Sequence, residues 1–128
     1  MLIVLDAARP DHFSSYGYGR LTTPNIDRLA ENSLVFKNVF ALVPNTHRSV
    51  PTMVTGLSFL NHGVTGEDSV LDQSAMTLAE YLQAAGYRTA CFSATPNNSG
   101  SIGTDQGYDE FYELWTEVPR SVSRAPDY

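Results

Sequence analysis

Cysteine occurs once in the 128 residues, as Cys91, so no disulfide within the chain can brace the fold. Basic residues are also scarce. Eight Lys and Arg stand against 14 Asp and Glu, a formal charge of −6, and nothing forms the Lys/Arg stripe that a nucleic-acid partner requires. The charge says little about a small substrate, because one local arginine or metal ion reverses the field inside a cleft. Apolar runs are only a few residues long, which excludes a membrane span in this sequence. Met1 leads directly into Leu2-Ile3-Val4-Leu5 with neither a basic region nor a cleavage site, so no secretion signal is visible and the compartment stays open. There is no internal repeat and no Walker loop, and Gly17 and Gly19 do not form a dinucleotide fingerprint. His12, His47 and His62 match no zinc spacing. What is present, 42% hydrophobic and 17% charged residues, is the composition of a globular domain with a real core.

The order of elements reads as βαβ. Leu2–Leu5 is an unbroken apolar run, the pattern of a strand covered on both faces. Residues 11–20 read as loop. Thr23 as N-cap and Pro24 at the first helical position predict a short helix over Pro24–Glu31, with Ile26, Leu29 and Ala30 on one face. Leu34–Phe40 is expected to be a second strand. Near Thr46 two starts are open: Ser49 caps a helix with Pro51 in its first turn, or the helix begins at Thr46 itself. Thr77 and Glu80 form a capping box for a helix over Leu78–Ala85, with Gly86 as the residue that stops it. Tyr87–Ser93 follows as a strand, expected to lie parallel to Leu2–Leu5. Tyr108, Phe111, Tyr112 and Trp115 are expected to pack as an aromatic cluster.

Few residues carry chemistry. Asp6 ends the first apolar run, where open α/β sheets place ligands. A carboxylate there is costly to leave unpaired, and a metal ion, Arg9 or loop N–H groups could satisfy it. Thr46 is a hydroxyl close to a helix amino terminus, where free N–H groups attract anions. It is a poor nucleophile unless a base or metal activates it. Arg48 could clamp the oxygens of a phosphoryl or sulfuryl group, or make an ordinary surface ion pair. Cys91, among apolar neighbours, is expected to be buried and inert.

Several segments share one order and approximate spacing: Ile3-Val4-Leu5-Asp6, Arg9-Pro10-Asp11-His12, Thr23-Pro24-Asn25-Ile26-Asp27-Arg28-Leu29-Ala30, Thr46 to Gly56, His62-Gly63-Val64, Thr77 to Ala90, and Gly107-Tyr108-Asp109. Together they resemble the amino-terminal part of the sulfatase family in the alkaline phosphatase superfamily. The resemblance implies a three-layer α/β fold with a mostly parallel sheet. Residues 1–128 would be the N-terminal portion of a sulfatase-like catalytic domain, incomplete by itself. Asp6 falls at the first metal-binding aspartate. Thr46 falls at the nucleophile, ten residues before Gly56, and would also face the metal. Arg48 lies near, though not at, the usual place of the anion-binding arginine.

The departures narrow the chemistry. Sulfatases start from a Cys or Ser that becomes formylglycine, and a threonine cannot. Arg48 stands at the family's proline place and Val50 at its arginine place, and Ala7 replaces the second aspartate of an Asp-Asp pair. The resemblance therefore implies a metal-dependent hydrolase of phosphate or sulfate esters with a threonine nucleophile. Two alternatives stay open: a phosphoethanolamine- or phosphoglycerol-type transferase, or a binding protein that kept the fold and lost the chemistry. The implied cofactor is a divalent ion (Ca, Mn, Zn or Mg) with further ligands beyond residue 128. The implied partners are a small anionic ester or a lipid or glycan head group, with self-association through sheet surface left exposed.

Overall fold

The computed structural model describes residues 1–117, so the turn-like reading of Pro119–Tyr128 lies outside the described residues. The chain forms two units, Met1–Phe40 and the described residues from Ala41 onward.

In the first unit, two short 3-10 turns, Pro10–His12 and Ser14–Tyr16, precede helix α1, Pro24–Ala30. Thr23 stands at the N-cap as expected, but its hydroxyl caps no helical N–H. It donates to the Asp27 carboxylate at 2.8 Å and accepts from the Ser14 amide at 3.1 Å. Ser14 donates its own hydroxyl to the same carboxylate, and these hydrogen bonds, Ser14 first, hold the Asp27 carboxyl below the usual range. Tyr16 ties the turn to the segment after α1: its hydroxyl donates to the Phe36 carbonyl at 3.0 Å, and Lys37 Nζ lies 4.7 Å from its ring centroid.

The strand expected at Leu2–Leu5 does not form, and these residues are 54–68% exposed. Leu34–Phe40 likewise has no regular structure. An apolar run becomes a strand only where neighbours take its N–H and C=O groups, and among the described residues the one ladder is built elsewhere. Ala7, just after Asp6, is held at φ 54°, the left-handed region. That conformation costs an alanine roughly 1–2 kcal/mol, whereas asparagine and aspartate visit it more readily.

The second unit contains helix α2, Thr46–Thr55; α3, Phe59–His62; α4, Leu78–Ala84; strands β1, Ala90–Ser93, and β2, Glu110–Glu113; and α5, Leu114–Glu117. Helix α2 begins at Thr46, with Asn45 as N-cap accepting from the Arg48 amide at 3.3 Å. Pro51 is thus inside the helix rather than in its first turn. Helix α4 carries the expected capping box. Its end is a Schellman motif: Gly86, at φ 84°, donates to Gln83 O at 2.9 Å and Tyr87 to Leu82 O at 3.0 Å.

Strand β1 covers the last part of the expected Tyr87–Ser93 strand, and its parallel partner is β2, not Leu2–Leu5. Strand β2 splits the expected aromatic cluster, because successive residues face opposite sides. Phe111 meets Tyr108 edge-on, while Tyr112 stacks on its ladder partner Phe92 with ring centroids 4.8 Å apart. Asp109 guides the chain into β2, its carboxylate accepting from the Thr89 amide at 2.7 Å and Gln83 Nε2 at 3.1 Å. Those bonds, the Thr89 amide first, lower its carboxyl pKa.

The apolar core is small: Val64 and Leu71, 0% and 2% exposed, with Ala75. Helix α3 docks on α2 through a buried polar contact. His62, 3% exposed, has Nε2 3.0 Å from Thr52 Oγ1, and its Nδ1 accepts from the Val64 amide at 3.2 Å. Burial pushes the His62 pKa down.

Two predictions follow from this packing. A Cβ on Gly107 would lie 2.3 Å from the Glu80 backbone nitrogen, at a φ of 78° that disfavours side chains. Gly107→Ala should therefore cost more than the roughly 1–2 kcal/mol of the backbone conformation alone, read as a lower urea midpoint. Burial disfavours the protonated ring of His62, so the unfolded chain takes up this proton more readily than the folded one. Stability from this group is complete above about pH 6.5 and falls as the pH drops below it. Urea unfolding at pH 7.5 and 5.5 should show this loss in the wild type and not in His62→Gln, whereas an equal loss in both would assign it to other groups.

Candidate functional site

Thr46 and Arg48 lie together in the first turn of α2, both half-buried. The Asn45 cap creates this turn by giving the Arg48 amide a partner at the positive end of the helix dipole. A helix amino terminus with an adjacent guanidinium suits an oxyanion such as phosphate or sulfate. Between them His47 is buried, and its Nε2 meets no hydrogen-bond partner.

Behind this turn the helix is held by side chains. Pro51 lacks an N–H, so the carbonyl one turn earlier, that of His47, loses its helical donor. Thr52 Oγ1 donates to the Arg48 carbonyl at 2.9 Å, and Thr55 Oγ1 to the Pro51 carbonyl at 2.6 Å. The bond between Thr52 and His62 then fastens α2 to the segment beyond it. Asn45, Thr52 and His62 were not recognisable as site residues from sequence. Asn45 could have been found, since it is a strong N-cap type one place before Thr46. His62 stood in the family-like segment His62-Gly63-Val64, but nothing in the sequence pointed to Thr52, ten positions away, as its partner.

Asp6 belongs to the first unit, in an exposed turn that ends in the left-handed Ala7. Arg9, one of the groups that could have satisfied it, is engaged with Asp11 in a two-pronged ion pair at 2.6 and 3.1 Å. Cys91 is half-buried rather than buried. Burial raises its thiol pKa, against the bond that Asn98 Nδ2 donates to the sulfur at 3.5 Å.

A divalent ion needs four or more ligands. Among the described residues no group of three or more His, Cys, Asp or Glu side chains comes together to hold one. Asp6 and the Thr46 hydroxyl are suitable hard donors, but two oxygens do not make a site, and the described residues do not fit a complete one. No helix among them is long and apolar enough to cross a membrane.

Comparison with known proteins agrees with the ordered segments. The sequence profile of the family described as Sulfatase matches residues 1–125. An arylsulfatase of Clostridium perfringens is 35% identical over 92 residues, covering 71% of this chain and 19% of that protein. An N-acetylglucosamine-6-O-sulfatase of Bacteroides thetaiotaomicron is 34% identical over 115 residues, 90% of this chain and 20% of that protein. "Putative transferase YhbX" of Escherichia coli is 36% identical over 64 residues, 50% of this chain and 12% of that protein. The chain thus spans about a fifth of the length of the first two of these relatives. No solved structure gives a significant match. With a profile match over nearly every residue, and helices alongside a parallel strand pair, the chain belongs to the sulfatase family of the alkaline phosphatase superfamily and has its α/β class of fold.

Proposed function

We propose that residues 1–128 are the nucleophile-bearing, N-terminal portion of a sulfatase-like catalytic domain that cleaves phosphate or sulfate esters through Thr46. The observation that carries this reading is the placing of Thr46 and Arg48 in one capped helical turn, inside a family match that runs over residues 1–125. An anionic ester is received at the amino end of α2, with Arg48 on its non-bridging oxygens. Thr46 Oγ attacks the central atom in line, the bond to the ester oxygen breaks, and the alcohol leaves with the hydroxyl proton. The covalent Thr46 ester is then cleaved by water, returning the threonine and releasing the inorganic anion.

Phosphorus suits this sequence of steps better than sulfur. A phosphothreonine is opened by attack at phosphorus, whereas a sulfated threonine lacks the hydrate route by which formylglycine releases sulfate. Sulfatase-family proteins are in general metal-dependent, and Asp6 and Thr46 are the donors this chain would offer a divalent ion, the described residues supplying no complete set of ligands. The likeness to YhbX, whose name is that of a transferase, favours a second reading. In it an acceptor alcohol on a lipid or glycan replaces water in the last step. The apolar residues left exposed, Leu34, Phe36, Val39 and Phe40 among them, would give the isolated chain a tendency to self-associate.

The complete protein tests the reading with p-nitrophenyl phosphate and p-nitrophenyl sulfate side by side. Thr46→Ala should abolish turnover of both with the circular dichroism unchanged. Arg48→Ala should weaken transition-state binding by roughly 2–4 kcal/mol. The phosphate ester should react faster than the sulfate. Undiminished turnover in Thr46→Ala would remove this residue from the chemistry, and a strong sulfate preference would overturn the choice of phosphorus. In a separate measurement, the isolated chain should sediment as a species heavier than a monomer at micromolar concentration.

A further inference from the structure

Helix α2 has a weak point immediately behind its first turn. Pro51 cannot donate to the His47 carbonyl, so the backbone ladder that would carry orientation from the helix body into Thr46–Arg48 has a gap there. The next carbonyl along, that of Arg48, is also reached by a side chain: Thr52 Oγ1 donates to it at 2.9 Å, and His62 Nε2 lies 3.0 Å from Thr52 Oγ1.

The proton positions in this chain are determined. The Val64 amide donates to His62 Nδ1 at 3.2 Å, so Nδ1 carries no proton and the neutral ring has its N–H on Nε2. That N–H donates to Thr52 Oγ1, and the hydroxyl's own hydrogen goes to the Arg48 carbonyl, which has no hydrogen to offer. The far end is anchored firmly, because Val64 is fully buried in the apolar core beside Leu71.

We propose that His62 is a positioning residue for the reaction at α2. Acting through Thr52, it holds the Arg48 carbonyl, and so sets the first turn that carries the Thr46 hydroxyl and the Arg48 guanidinium against the core at Val64. This rests on the reading of Thr46 as nucleophile and gives that site its rigid support. Misplacing a reacting group by about 1 Å can cost on the order of a hundredfold in rate, so the support acts on kcat more than on binding.

The test uses the complete protein and p-nitrophenyl phosphate. Thr52→Val removes the hydroxyl while keeping the side chain's shape, and His62→Leu removes the ring nitrogens. Each should lower kcat by roughly ten- to a hundredfold with KM changed far less. The double variant should be no slower than the worse single one, because both break the same chain. His62→Gln keeps an N–H within reach of Thr52 and should restore most of kcat. Gly107→Ala, whose added Cβ meets the Glu80 backbone and not this chain, should lower the melting temperature with kcat at the wild-type level well below that temperature. The proposal is overturned if Thr52→Val and His62→Leu turn over like the wild type, if their losses multiply, or if His62→Gln is as slow as His62→Leu. Thr46→Ala separates the two readings. Full activity there removes both, whereas an inactive Thr46→Ala beside an undiminished Thr52→Val removes only the role of His62.

Discussion

In the second unit, threonine hydroxyls reach backbone carbonyls at several points. Thr77 Oγ1 accepts from the Glu80 amide at the start of α4 and donates across to the Gln106 carbonyl. Thr89 Oγ1 donates to the Gly107 carbonyl, and Thr104 Oγ1, fully buried, to the Ser99 carbonyl. Thr52 does the same for Arg48. With an apolar core of only a few side chains, leaving one of the buried hydroxyls without a partner would cost about 1–3 kcal/mol, a large share of a small domain's stability. Direction is the second benefit. A hydroxyl that both accepts and donates defines an angle between two segments, which apolar packing alone defines less sharply.

Much of the fold was legible because its signals are local. The α4 capping box, the Gly86 stop and the Pro24 start each depend on residues within one or two turns, and the structure has all three. Strands were harder to read. Leu2–Leu5 has the stronger apolar pattern and forms no strand, while Glu110–Glu113, with a carboxylate at each end, pairs with β1. Pairing is decided by a partner distant in sequence, and here that partner is brought up by Asp109 and Thr89 across twenty positions. Family order was the one long-range signal in the chain, and it identified the class of fold where periodicity alone did not.

The candidate site divides in the same way. Thr46 and Arg48 were legible because a hydroxyl and a guanidinium near a helix start make chemical sense together, and they do share the first turn of α2. The layer beneath them was not legible. His62 belonged to a family-like segment, His62-Gly63-Val64, with no role attached, and only the fold sets it against Thr52. The pattern is general for residues that support a reacting group: chemistry selects the group itself, whereas geometry alone selects what stands behind it.

The left-handed turn at Ala7 bears on which side chains this position accepts. The backbone holds a conformation that suits aspartate or asparagine better than the alanine present. Tolerance at such a position is asymmetric. A change to a small polar residue relieves strain and a change to a branched one adds to it, so the residue after Asp6 takes a second carboxylate more easily than a valine or an isoleucine.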